Sequence, residues 1–189
     1  SANPAWVAAD LLAQAEHDIV AQPVLATDSL ELANAVADEI EKQLAVLPTC
    51  ETARASIDNY GRIIIVDNLE QAADFANKKA PEHLELAMES GAERDKIQSM
   101  VCNYGSLFIG HYAAEVFGDY AAGLNHTLPT SGAARYTGGL SVRVFLKTVT
   151  TLRAVKDSEG MKNSAKAAGF LGDAEGLAAH ANAARIRLN

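Results

Sequence analysis

The chain has 189 residues, of which 49% are hydrophobic, and its formal net charge is −8. This composition is typical of a globular protein and excludes a broad surface for nucleic acid or anionic lipid, because such surfaces are rich in Lys and Arg. No apolar run approaches the roughly 20 residues of a membrane span, and no signal peptide opens the chain, so we expect a cytoplasmic protein. Cys50 and Cys102 are too far apart in sequence for a Cys-based zinc motif, and we expect reduced thiols.

Helices and strands alternate through the first two thirds of the chain. Asn3-Pro4 is typical of a helix start and predicts a helix to about His17. Asp28-Ser29-Leu30-Glu31 predicts a capping box and a helix that ends at Pro48. The β-branched run Arg62–Val66 predicts a parallel strand covered on both faces. Further strands are predicted at 23–27, 84–87 and 106–109, and further helices at 68–77 and 92–100.

The pattern changes after Gly110. A glycine-rich stretch, Gly118–Gly139, predicts a long loop, and long loops within compact chains are usually functional. Three helices are then predicted, to about residue 152, from 158 and from 173, followed by a strand at 185–188. The fold class expected is therefore α/β: a partial Rossmann-like parallel sheet with flanking helices in residues 1–139, then a helical C-terminal tail in residues 140–189. The tail helices are rich in Ala, and we expect them to pack on a partner protomer.

Four of the five histidines have an oxygen-bearing partner nearby in sequence. Imidazole is the commonest metal ligand and transfers protons near pH 7, so these pairs are candidate site residues. For the four pairs, taken in chain order, the non-functional alternatives are a solvated helix end, an edge histidine, an Asx-rich turn and a surface helix. Adjacent residues on a regular strand face opposite sides, so Glu82 and His83 reach one pocket only from an irregular segment. The pairs are Gln14 with His17, Glu82 with His83, Asp119 with His126, and Glu175 with His180.

Taken together and in order, these segments resemble the histidinol dehydrogenase family. The resemblance covers nearly the whole chain and rests on five separate motifs. They are Leu12–Asp18, Ala80–Leu86, Gly118-Asp119-Tyr120 with Gly123 and Asn125-His126, Leu128-Pro129-Thr130 with Gly132, and Glu175-Gly176-Leu177 with Ala179-His180.

The resemblance implies a site, two cofactors and an oligomeric state. In the family, a histidine takes the proton of an alcohol substrate as hydride leaves to NAD, and a glutamate activates water on the aldehyde; His83 and Glu82 match these positions. The family is a homodimer whose C-terminal segment crosses to the partner. Zinc ligands by motif are Gln14, His17, Asp119 and His180, and the positions matching substrate contacts are Gln14, His17, His126 and Glu175.

Two features set this chain apart from the family. Family members are roughly twice as long, with the nicotinamide-binding region N-terminal to the part matched here. The chain thus looks like a C-terminal part, and we expect it alone to bind zinc weakly and to be inactive. Ala113-Ala114, Leu124, Ala133–Gly139 and Val144 also depart from the usual residues. A paralogue acting on another small polar alcohol is therefore an alternative. A non-catalytic zinc-binding or dimerisation module is a second alternative, against which the retention of Glu82 and His83 argues.

Overall fold

The structure, a computed structural model, describes residues 1–188, which divide into a unit Ser1–Phe145 and a second unit that begins at Leu146. Strands and helices alternate in the first unit, so the α/β fold is confirmed. Among the described residues, none of the helices combines the length and the apolar character that crossing a bilayer requires. The strands are β1 (Val24–Thr27), β2 (Arg62–Ile65), β3 (His83–Leu86) and β4 (Ser106–Ile109). The helices of the first unit are α1 (Pro4–His17), α2 (Leu30–Leu44), α3 (Cys50–Tyr60), α4 (Leu69–Lys79), α5 (Ala92–Met100) and α6 (Val116–Tyr120).

Side-chain caps mark the starts of α1 and α2. The Asn3 side chain accepts hydrogen bonds from the first backbone N–H groups of α1, with Pro4 at the first helical position, as the sequence predicts. The predicted capping box at Asp28 is wrong, because Ser29 is the N-cap of α2 and its Oγ accepts from Leu32 N at 3.1 Å. α3 was not predicted, and α2 ends at Leu44, before the predicted end at Pro48.

Both strand pairs are parallel, as predicted. β1 pairs with β2, and β3 pairs with β4, so the ladders form two separate two-stranded sheets. The expectation that β2 is covered on both faces is wrong, since Ile63 and Ile65 are 37% and 48% exposed. A β-branched run indicates only that a strand prefers burial. In the first unit, the elements around β2 do not cover both of its faces.

Two apolar clusters hold the site-bearing elements. One joins α1, α2 and α3 through Leu12, Val36 and Ala53, and it buries the face of α1 that is opposite to its polar residues. The other packs Leu86 of β3 against Ile97 of α5 and against α4. Because buried aliphatic side chains occupy single rotamers, these clusters give α1 and β3 defined positions.

The second unit contains α7 (Glu159–Ala174), capped by Ser158, and α8 (Ala178–Arg185). Two predictions in this region are wrong. The helix predicted to residue 152 is replaced by a 3-10 turn at Val142–Phe145 and by irregular backbone to residue 157, because Thr and Val dominate this stretch and lose rotamer freedom in a helix. The strand predicted at 185–188 is a 3-10 turn, Ile186–Leu188.

Substituting Gly172 is expected to destabilise the second unit. A Cβ at Gly172 would lie 2.8 Å from Ala181 N and 3.0 Å from Ala181 Cα, so α7 and α8 would have to separate. We expect Gly172→Ala to reduce the free energy of unfolding by about 1–3 kcal/mol. The matched control is Gly160→Ala, also in α7, where a Cβ meets nothing within 4 Å. Thermal unfolding followed by circular dichroism should show a lower Tm for the first variant only, and equal Tm values would contradict this packing.

Candidate active site

Three elements of the first unit each present polar side chains to one cavity of about 1370 Å³. On α1 and α6 the residues are spaced by three or four, which places them on one helix face, and on β3 they are two apart on one strand face. The residues are Asp10, Gln14 and His17 from α1, His83 and Glu85 from β3, and Glu115 and Asp119 at α6.

Glu82 lies just before β3 because the backbone there is fixed by its neighbours. α4 ends at Ala80, whose left-handed conformation (φ 53°) precedes Pro81. Ser106 N donates to Glu82 O at 2.8 Å, and a Cβ at Gly105 would lie only 2.6 Å from the same oxygen. Glu82 is therefore outside the regular strand, and its side chain and that of His83 line the same cavity.

The His83 imidazole has an oxygen at each ring nitrogen. Its Nδ1 lies 3.0 Å from Oε1 of Gln14, and its Nε2 lies 3.2 Å from Oε1 of Glu115. The ring also packs against Phe108, with centroids 6.0 Å apart at 50°. Gly118 allows α6 to approach the Phe108 ring, since a Cβ at Gly118 would lie 3.1 Å from Phe108 carbons. The imidazole is thus held in one orientation.

A second histidine, His126, contacts Asp119 near the end of α6. His126 Nδ1 lies 2.8 Å from Asp119 Oδ1, and the His126 side chain is largely exposed. Ligand atoms of His83, Glu115 and Asp119 all lie within 4.8 Å of one another, a spacing at which three ligands can hold one cation. This corner of the cavity can therefore bind a metal ion or transfer a proton.

Burial changes the pKa values of these groups. It raises the pKa of Glu82, and His17 opposes that rise. It lowers the pKa of His83, while Asp119 opposes that fall. Burial, followed by the charge of Asp119, raises the pKa of Glu115 to about 7. The imidazole is consequently neutral near pH 7 and able to accept a proton.

Comparison with known proteins gives one consistent result. The family model described as histidinol dehydrogenase matches residues 1–188. The chain belongs to the histidinol dehydrogenase family. The histidinol dehydrogenase of Agrobacterium fabrum (strain C58) is 46% identical over 187 residues, which are 99% of this chain and 42% of that protein. That of Streptococcus mutans serotype c is 47% identical over 189 residues, 99% of this chain and 43% of that protein.

A solved structure supports the same assignment. The crystal structure of histidinol dehydrogenase from Elizabethkingia anophelis superposes with a TM-score of 0.91 at 38% identity, covering 99% of this chain and 42% of that one. The chain thus spans less than half the length of the curated histidinol dehydrogenases it matches.

The structure brings together six of the eight residues that the family resemblance implies. Gln14, His17, Glu82, His83, Asp119 and His126 all line the same cavity of the first unit. The other two lie in the second unit: Glu175 follows the end of α7, His180 is in α8, and both are exposed there. His111, the fifth histidine, contacts Ser1 Oγ and Glu89 Oε1, each at 3.4 Å.

Sequence reasoning missed the acidic residues behind His83. Glu115 is 5% exposed and faces the imidazole, and Glu85 and Asp10 lie close enough to share a proton. The sequence signal that could have found these acidic residues is their spacing from site residues that the motifs had already identified. Glu115 is four before Asp119 and Asp10 is four before Gln14, whereas Glu85 is two after His83 on a strand.

The Glu85 carboxyl is expected to make the stability of the first unit dependent on pH. Burial, followed by the charge of Asp10, raises the pKa of Glu85 from 4.5 to about 8. Because the folded-state pKa is raised, the stability contributed by this group is fully present below pH 4.5 and is lost as pH rises through about 8. Glu85→Gln should therefore raise Tm more at pH 8 than at pH 5.

Thermal unfolding at these two pH values tests this expectation. The control is Glu51→Gln on the exposed side of α3, which should change Tm equally at both. An equal gain at both pH values for Glu85→Gln would show that the carboxyl is not protonated in the folded chain.

Proposed function

We propose that this chain is part of a zinc- and NAD-dependent dehydrogenase that oxidises L-histidinol to L-histidine by two successive hydride transfers, the last step of histidine biosynthesis. The observation that carries the proposal is the convergence of the Glu82–His83 pair with Gln14, His17 and Asp119 in one cavity, in a chain of the histidinol dehydrogenase family. Together they provide a proton acceptor, a second acid and metal ligands.

The residues present fit a zinc ion. Gln14 and Asp119 offer oxygen ligands and His17 offers nitrogen, a donor set that zinc accepts. Asp119 also belongs to the group of ligand atoms that lie within 4.8 Å of one another. In the proposal, Gln14, His17 and Asp119 would hold the metal together with His180 of a second unit, and the metal would supply a positive charge that orients the amine and imidazole of the substrate.

The chain's own side chains then move the protons. In the proposal, His83 accepts the hydroxyl proton of the alcohol as hydride leaves the same carbon, which gives the aldehyde. Glu82 removes a proton from water as the water adds to the aldehyde, and the hydrate then loses a hydroxyl proton and a second hydride to give the acid. NAD would supply the hydride acceptor, one molecule for each of the two transfers. The lowered pKa of His83 and the raised pKa of Glu82 suit groups that exchange protons near neutral pH. His126 and Glu175 contact the substrate.

We further propose a homodimer with exchanged C-terminal segments, so that Glu175 and His180 complete the site of the partner subunit. The second unit supports this proposal, because large apolar side chains remain uncovered in it. Phe170 and Leu171 of α7 are 73% and 58% exposed.

The test is NADH formation from L-histidinol by the longer protein that contains this chain, with and without a zinc chelator. We expect turnover that the chelator abolishes. A zinc-containing protein that does not turn over histidinol would refute this substrate. It would favour the alternative of another small polar alcohol, for which the departures at Leu124 and at Ala113-Ala114, which directly precede the cavity-lining Glu115, are the specific observation.

A non-catalytic zinc-binding module is distinguished by Glu82→Gln in the same protein. Zinc content should be unchanged in either case, because Glu82 is not a proposed ligand. Turnover is expected to be lost only in an enzyme. A parent protein that binds zinc but reduces no NAD with any alcohol of this class would identify the module.

A further inference from the structure

One edge of strand β1 has no backbone partner. The carbonyl groups of Pro23 and Thr27 accept hydrogen bonds from β2 and from the residue that follows it. Backbone groups point alternately to the two sides of a strand, so the N–H and C=O groups of Val24 and Ala26 point away from β2. Within residues 1–188, these groups make no backbone hydrogen bond to another strand.

Strand β3 has a free edge of the same kind. The carbonyl groups of Glu82 and Leu86 accept hydrogen bonds from β4 and from the residue that follows it. The backbone groups of His83 and Glu85 therefore point to the side opposite to β4. On that side too, the part of the chain that the structure describes supplies no pairing strand. Each of the two sheets is thus open along one strand.

The two strands with free edges border one cavity, the same cavity of about 1370 Å³ that contains the candidate site. All residues of β1 and of β3 line it, whereas its lining among the described residues includes none from β2 and only Phe108 from β4. Helices α1 and α4 also line it, with apolar side chains that include Leu11 and Phe75. Parallel strands on two sides and apolar helix faces are the surroundings of a central strand in an α/β sheet.

The sequence of β1 is also that of a central strand. Native edge strands are commonly protected from further pairing by charged residues, proline or a bulge. Val24–Thr27 contains neither a charged residue nor proline, and three of its four residues are apolar, which places apolar side chains on both faces. Backbone groups of such a strand are normally paired, because leaving them without a partner in a half-buried position costs free energy.

The family supplies a source for the missing strand. The chain covers 42% of the Agrobacterium fabrum histidinol dehydrogenase, so more than half of that protein lies outside the matched part. We propose that a β-strand from the part of the longer protein outside this chain inserts between β1 and β3, pairs with both free edges and joins the two sheets into one.

The inserted strand leaves the candidate site accessible. It lies in the plane of the two ladders, whereas the side chains of His83 and Glu85 project out of that plane. Its hydrogen bonds hold the backbone of His83 from the side opposite to β4. The strand that carries the proposed proton acceptor is then central in its sheet, and the first unit is completed only in the longer protein.

Residue-resolved hydrogen exchange in the longer protein tests the pairing. In an edge strand, protection of the amides alternates along the chain, whereas in a central strand it is continuous. Leu25 and Leu84, whose N–H groups point to β2 and β4, are the internal controls. We expect the protection factors of Val24, Ala26 and Glu85 to lie within about tenfold of these controls. Alternating protection, with these three amides more than about tenfold below the controls, would overturn the inference.

A cross-link identifies the occupant of the gap. A photoreactive diazirine amino acid is incorporated at Val24 of the longer protein, because side chains on neighbouring strands lie about 5 Å apart. The control carries the same group at Val46, which is 81% exposed and does not line the cavity. We expect a cross-link within one polypeptide, from position 24 to a segment outside the 189 residues, that the control does not form.

A cross-link to a second copy or to another protein, or no protein cross-link at all, would overturn the assignment. If the variant at Val24 does not fold, the exchange measurement on the unmodified protein still decides. Neither measurement uses turnover, so the inference can fail or succeed independently of the proposed reaction.

Discussion

Replacing His83 by glutamine in the longer protein is expected to lower kcat for histidinol oxidation by roughly 10³-fold. Glutamine preserves polarity and much of the volume of the imidazole, but it cannot accept a proton near neutral pH. The ring nitrogens also lie against oxygens of Gln14 and Glu115, so the variant removes the centre of this group of contacts. Steady-state NADH formation, with KM measured alongside, is the readout.

The matched control for this experiment is His111→Gln. His111 lies in the same unit and also has a carboxylate 3.4 Å away, from Glu89, but it contacts none of the proposed catalytic residues. We expect its kcat to stay within about threefold of the wild type. If His83→Gln behaved like the control, His83 would not be the proton acceptor, and the mechanism would have to be reassigned.

Replacing His17 by asparagine should weaken zinc binding by at least about 100-fold, since loss of a direct ligand exceeds the 10–100-fold effect of losing a supporting hydrogen bond. His17 lies at the exposed end of α1, so its removal should leave the fold intact. Equilibrium dialysis against buffered zinc, followed by metal analysis of the longer protein, measures the effect.

The zinc measurement also separates ligands from neighbours. Glu115→Gln should retain zinc far better than His17→Asn, because Glu115 is not among the proposed zinc ligands. The reverse order would indicate that the cation binds at His83, Glu115 and Asp119, whose ligand atoms lie within 4.8 Å of one another. Unchanged zinc affinity in His17→Asn would remove His17 from the ligand set.

Features of the fold that depend on local chemistry could be predicted from the sequence. The Asn3 cap and Pro4 located α1, and the strand at Ser106–Ile109 was predicted with its observed bounds. Each of these signals lies within a few residues of the element it defines. The failures at 142–152 and 185–188 came from short or mixed patterns, in which β-branched residues and alternation do not distinguish a helix from irregular backbone.

The site was predicted as motifs and not as contacts. Glu82, His83 and Asp119 were recognised from the resemblance, yet nothing in one sequence reports that a buried glutamate stands 3.2 Å from an imidazole. That contact depends on Gly118, which lets α6 approach Phe108, and on the pairing of β3 with β4. Such long-range geometry arises from packing, and spacing along the chain indicates only which residues share a face.

The carboxyl groups that line the cavity have a consequence for product release. Asp10, Glu82, Glu85, Glu115 and Asp119 all line it. In the proposed reaction, an amino alcohol enters this cavity as a cation, whereas the oxidised product carries a new carboxylate. The carboxylates that are ionised there would attract the first ligand and partly repel the second. For the proposed enzyme, we therefore expect inhibition by the amino acid product to be weak compared with binding of the alcohol.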